Sequence, residues 1–116
     1  LSCFLKVTRT PAGLHIGNEN STLPANLTPP ETLSGHASLW LAARPSEIDF
    51  VGEGGIRGIV TRKVFLGETI DYRVAVGDAE VRIQKTRRTP GPSVGDHCGL
   101  RFARPHWYPA TDKAAA

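Results

Sequence analysis

The stretch Gly58–Ala79, GIVTRKVFLGETIDYRVAVGDA, decides the fold class. Its second half alternates, with Ile70, Tyr72, Val74 and Val76 on one face and Thr69, Asp71, Arg73 and Ala75 on the other. A period of two is the pattern of a half-buried antiparallel strand. The first half supplies a partner strand containing Ile59, Val60, Val64, Phe65 and Leu66. Gly67 lies between the two and can take φ > 0 in a tight turn. Gly77-Asp78 makes the next turn, after which Val81 and Ile83 alternate with Glu80, Arg82 and Gln84. The product is a three-stranded meander, around which the rest of the chain must close.

The flanks read the same way. Cys3, Leu5 and Val7 alternate with Phe4, Lys6 and Thr8, and Leu14–Gly17 is a short second strand. In Gly35–Arg44, Leu39, Leu41 and Ala43 face away from Ser38, Trp40 and Ala42. Pro45–Ile48 predicts one helical turn or a β-turn, and Asp49–Val51 a short extended segment. Arg87–Asp96, rich in Pro, Gly and Ser, predicts a loop. His97–Arg104 follows as a strand with Cys98, Leu100 and Phe102 inward, and Pro105–Pro109 adds a last edge strand. No stretch sustains a helical period. The class is therefore all-β, with about eight to ten short antiparallel strands and Gly/Pro-rich turns, in a barrel or sandwich. Gly52–Gly55 divides a first strand-rich half, 1–51, from a second, 56–110, and 111–116 reads as a disordered tail.

Composition supports a small folded domain. The 116 residues are 40% hydrophobic and 22% charged, with 12 glycines and 9 prolines, which favours short strands and turns over helices. The net charge of +3 permits contact with phosphate without demanding it. No apolar run approaches the ~18 residues of a membrane span. The chain begins at Leu1 and has no methionine, so it is expected to be a piece of a longer polypeptide. Cys3 and Cys98 could pair if the chain ends meet, and otherwise read as two buried free thiols.

No catalytic constellation emerges. Gly52–Gly58 fails as a dinucleotide loop, since Arg57 stands where the third glycine of G-x-G-x-x-G belongs. There is no G-x-x-x-x-G-K-[ST] loop and no G-x-S-x-G elbow. The four histidines and two cysteines lack metal-ligand spacing, so no metal or cofactor site is expected. Asp71 and Glu80 read as cross-strand partners of Arg73 and Arg82. Arg82, Lys85, Arg87 and Arg88 form a basic cluster at the end of the third meander strand, read as a solvated strand end or as a phosphate contact.

Specific residues then carry a resemblance. Leu41-Ala42-Ala43-Arg44-Pro45-Ser46-Glu47-Ile48, a glycine-rich gap, Gly58-Ile59-Val60, Val64-Phe65-Leu66-Gly67, Tyr72-Arg73-Val74, Gly95-Asp96 and Leu100-Arg101-Phe102 follow in an order that resembles the TOBE (transport-associated OB) domain. That domain forms the C-terminal region of bacterial ABC-importer ATP-binding subunits. The resemblance implies an OB-like small barrel closed at a corner anchored by Phe65-Leu66. It implies a non-catalytic regulatory and dimer-contact appendage, cytoplasmic and peripheral at the inner membrane. The form is most similar to subunits importing ferric iron, polyamines or phosphonates. The implied partners are the chain's own N-terminal ATPase domain, which would hold ATP and Mg, a second copy, and membrane permease subunits, with no nucleic acid. The contact surface is placed on Arg44, Glu47, Lys85, Arg87, Arg88 and Trp107. Two alternatives stand beside it. One is a nucleic-acid-binding OB module using Arg82, Lys85, Arg87 and Arg88 with Trp40 or Trp107. The other is an oxyanion-binding module built on backbone N–H groups near Gly67 or Gly95.

Overall fold

The structure, a computed structural model, describes residues 3–11, 13–16, 23–24 and 27–110, and the side chain of Cys3 is not described. The tail at 111–116, the polar turn at 18–22 and part of the 24–30 loop lie outside the described residues. The strands are β1 (Cys3–Thr10), β2 (Gly13–Ile16), β3 (Ser38–Ala43), β4 (Ile48–Val51), β5 (Ile56–Leu66), β6 (Thr69–Val76), β7 (Ala79–Thr86), β8 (His97–Phe102) and β9 (His106–Pro109). Single 3-10 turns occupy Glu31–Leu33 and Pro45–Glu47. All pairings are antiparallel, in a four-stranded sheet ordered β2-β1-β3-β9 and a five-stranded sheet ordered β4-β8-β5-β6-β7. The all-β reading holds.

Within the larger sheet, β5, β6 and β7 are consecutive hairpins and β8 returns to lie beside β5. That is the order of a Greek key, with β4 added outside β8. The sheet is OB-like and partly open, because no backbone pairing joins its edges β4 and β7 among the described residues. The seam is filled instead by the Pro45–Glu47 turn, which packs against β7. The glycine-rich segment 52–55 connects β4 to β5, and both strands pair with β8. It is therefore a turn inside one sheet. The two halves exchange strands: β4 from the first half joins the five-stranded sheet, and β9 from the second joins the four-stranded one.

The core is one continuous cluster. Leu5, Val7, Leu39 and Leu41 of the smaller sheet pack with Ile48, Val60, Tyr72, Val74, Val81, Ile83 and Leu100 of the larger. β6 delivers its expected face, with Ile70, Tyr72, Val74 and Val76 all buried.

β5 departs from expectation. A register shift between Val60 and Arg62 re-phases the strand, as a β-bulge does. Beyond it Lys63, not an apolar residue, lies opposite Tyr72 on the inner side. Its ammonium sits 5.4 Å from the Tyr72 ring and 5.6 Å from the Phe65 ring. β5 pairs with β8 only over Ile56–Ile59, so the tip of the β5–β6 hairpin projects past its neighbour. Phe65 and Leu66 are consequently 64% and 53% exposed. They do not anchor a barrel corner, which corrects that expectation. Gly67, at φ 69°, makes the turn between them and β6.

The loop between β7 and β8 covers the end of the larger sheet. Lys63 Nζ donates to the Pro92 carbonyl at 3.0 Å, and the Gly95 N–H donates to Val60 O at 2.8 Å. A Cβ placed on Gly91 would collide with the Tyr72 hydroxyl. That ring is fully buried and its hydroxyl has no hydrogen-bond partner among the described residues, so it cannot retreat at little cost. We expect Gly91→Ala to destabilise by about 1–3 kcal/mol through overpacking. Tyr72→Phe alone is expected to be near neutral, because an unpartnered hydroxyl contributes no hydrogen bond. Combining it with Gly91→Ala recovers much of the loss. Urea unfolding of the two single variants and the double variant measures this.

Candidate functional site: the β4–β7 seam

The residues expected to form a contact surface divide between two places. Arg44, Glu47 and Lys85 lie along the seam between β4 and β7, with Arg87 and Arg88 in the turn that follows β7. Trp107 is elsewhere. It lies opposite Leu41 in the smaller sheet and packs, half buried, against the core.

The seam is built on an aspartate that the sequence reading passed over. β4 reads Ile-Asp-Phe-Val, with Ile48 buried and Phe50 set edge-on to Tyr72 at 4.8 Å between ring centroids. Alternation turns Asp49 to the other face, opposite Arg101 of β8. Its carboxylate accepts hydrogen bonds from Lys85 Nζ on one oxygen and from Arg101 Nη2 at 3.1 Å on the other. Lys85, its side chain only 14% exposed, thus ties the outer edge of β7 to β4 where no backbone ladder does. The signal that could have found this was the lone acid in a four-residue strand paired with a strand carrying Arg101.

Glu47 also acts structurally. Its backbone carbonyl accepts from the Ala103 N–H at 2.9 Å, and its carboxylate lies 3.9 Å from Arg104 Nε. Arg44 precedes Pro45 in extended conformation and is exposed. Arg87 donates its N–H to Glu68 O at 2.9 Å, and the side chains of Arg87 and Arg88 are exposed.

Two other basic residues of the meander are paired. Arg82 Nε meets the buried Asp71 at 2.8 Å, and Arg73 reaches Glu80 at 3.1 Å and Asp71 at 3.8 Å. The cross-strand reading of Asp71 and Glu80 is what the structure contains. The proposed oligonucleotide groove is not assembled: Arg82 and Lys85 are tied to carboxylates, and Trp40 and Trp107 sit on opposite faces of the smaller sheet. The Gly95 N–H suggested for an oxyanion already serves Val60 O. Among the described residues no group of three His, Cys, Asp or Glu side chains is placed to hold a metal ion.

Two titrating groups are displaced. The Lys85 hydrogen bond, helped by Arg101, holds the Asp49 carboxyl below its ordinary 3.8, with partial burial opposing. Burial pushes the Cys98 thiol above 9.0, with Arg57 opposing and Asp96 adding. Cys98 is free and buried, as expected.

Residues 41–108 match the TOBE domain family. No curated protein matches the sequence. The match begins in β3, ends in β9 and covers well over half of the chain, so the chain belongs to the TOBE domain family.

Two outcomes are expected. Asp49→Asn removes a partly exposed charge-assisted pair and is expected to cost about 1–2 kcal/mol at neutral pH, after allowing for solvent screening. A depressed folded-state pKa stabilises above the unfolded value and is lost as pH falls through the folded value. The gap between wild type and Asp49→Asn in urea unfolding therefore closes below about pH 4. Peptide mapping after iodoacetamide treatment at pH 7.5 should find Cys98 unmodified in the native protein and modified in urea.

Proposed function

We propose that this TOBE domain is the regulatory and dimer-contact portion of an ABC-type ATP-binding subunit that drives solute import across a bacterial inner membrane. The observation that carries this reading is the family match across strands of both sheets. The disposition of charge supports it. Asp49, Asp71 and Glu80, the strand carboxylates nearest to basic partners, are bound in ties between strands. This suits a domain that transmits contact, not one that performs acid–base chemistry. In this reading ATP and Mg belong to an N-terminal ATPase domain of the same polypeptide. The subunit works at the cytoplasmic side of the membrane beside its permease partners. The exposed Arg44, Arg87 and Arg88 are the surface it offers to regulation.

The reading frame ahead of Leu1 tests this directly. It is expected to encode G-x-x-x-x-G-K-[ST] and an ABC signature sequence, and a frame without them overturns the proposal. In the full-length subunit, Arg87→Glu/Arg88→Glu should change transport-coupled ATP hydrolysis at least twofold while leaving KM for ATP unaltered. An unchanged rate removes these arginines from the regulatory surface.

A further inference from the structure

The tip of the β5–β6 hairpin carries two large, exposed apolar side chains, Phe65 and Leu66, that neither the core nor the seam accounts for. Neighbouring residues of a strand point to opposite faces of the sheet. Phe65 lies opposite Ile70, on the face that carries Lys63 and Tyr72, and Leu66 lies opposite Thr69, on the other. The projecting ribbon therefore has an apolar residue on each side. A cationic rim stands behind it. The turn after β7 is held beside the tip by the Arg87 N–H, which donates to Glu68 O at 2.9 Å, and is closed on itself by the Thr89 N–H, which donates to Thr86 O at 3.1 Å. That turn presents Arg87 and Arg88 to solvent, and Arg62 is exposed on β5 behind Phe65. Against these three arginines stands one carboxylate, the exposed Glu68. Asp71, the next along β6, is already bound to Arg82 at 2.8 Å.

We propose that this end of the five-stranded sheet docks on an anionic lipid bilayer, with Phe65 and Leu66 in the interfacial region and Arg62, Arg87 and Arg88 among the headgroup phosphates. The proposal goes beyond the ATPase reading: it shares Arg87 and Arg88 with the regulatory surface but requires neither ATP nor a permease, so the two can fail separately. The placement of the apolar pair selects the occupant. A groove in a protein, or a base stacked from a single strand, would meet one side of the ribbon and leave the other side chain in water. A bilayer interface surrounds a projecting tip and takes both. The charge agrees, since basic residues beside an apolar insertion are attracted to anionic lipid. The backbone limits the depth. Past the contacts of Val60 with Gly95 and Asp96, β5 has no backbone partner on its β8 side among the described residues. Unpaired N–H and C=O groups are tolerated where water and headgroups reach them, and not in hydrocarbon. The tip accordingly enters only the boundary between headgroups and acyl chains, to a depth of about 5–10 Å. Each cation held at such a surface strengthens binding about fivefold, so the association depends on the arginines as well as the tip.

Flotation of the 116-residue chain with vesicles of phosphatidylglycerol and phosphatidylcholine in equal parts, and with vesicles of phosphatidylcholine alone, tests this. Wild type is expected to float with the anionic vesicles and about tenfold less with the neutral ones. Binding should fall as salt rises from about 0.01 M to about 1 M, where the screening length shrinks from about 30 Å to about 3 Å. Phe65→Ser/Leu66→Ser should weaken binding by about tenfold or more through lost apolar contact. Arg87→Glu/Arg88→Glu should weaken it at least as much. Tyr108→Ser, which removes a ring 49% exposed on the other sheet, should leave it unchanged. Thermal unfolding confirms that each variant is folded, and Leu66→Ser alone carries the test of insertion if the double variant is not. Anionic binding that survives loss of the apolar tip is attraction by charge alone and overturns the proposal. Absence of flotation at low salt also overturns it and leaves the tip to a protein partner. Equal binding to both compositions removes the arginines from the contact and overturns it too. A loss confined to the tip and arginine variants supports the proposal.

Discussion

Two Arg-Pro steps hold this fold together. At Arg44-Pro45 the chain leaves the four-stranded sheet for the five-stranded one, and at Arg104-Pro105 it returns. Proline has no N–H to give to a ladder and forces its predecessor into extended backbone, so each step ends one strand and redirects the chain. The two crossings run side by side and are tied to each other, the Ala103 N–H to the Glu47 carbonyl and Arg104 to the Glu47 carboxylate. Neither sheet is complete without a strand from the other half of the chain. The core that results is correspondingly one cluster, not two.

The seam follows from the first crossing. β4 enters the larger sheet as an added edge, hydrogen-bonded to β8 alone. Nothing in the backbone then joins it to β7, the opposite edge. Lys85 supplies that link through Asp49, and Phe50 supplies an apolar one through Tyr72. The remaining edges are protected differently. β2 and β9 are four residues each, and β9 is bounded by Pro105 and ends at Pro109. Short, proline-bearing edges offer little template for uncontrolled pairing.

Local alternation made much of this legible. The faces of β6, β7 and β8 could be read residue by residue, because each strand has one buried side and a period of two reports it. The pairing of Asp71 and Glu80 with arginines followed from the same reading. β5 could not be read so. Its bulge at Thr61 and its projection beyond β8 depend on partners distant in sequence, and they reverse the expected environment of Phe65 and Leu66. The exchange of strands between halves was hidden for the same reason. The glycine run at 52–55 resembled a boundary, while the two crossings carry ordinary charged residues beside proline. The candidate surface was half legible: Arg44, Glu47 and Lys85 do gather near one seam, but Lys85 and Glu47 serve the fold, and Trp107 lies in the other sheet, half buried against the core.

Because the chain crosses between the two sheets twice, they should open as a single cooperative unit. Native-state hydrogen exchange across a denaturant series measures this, comparing amides of β1 and β3 with those of β5 and β6. The slowest amides of both sheets are expected to converge on one opening free energy. Exchange of the four-stranded sheet through an opening several kcal/mol below that of the five-stranded sheet would show that the crossings do not couple them.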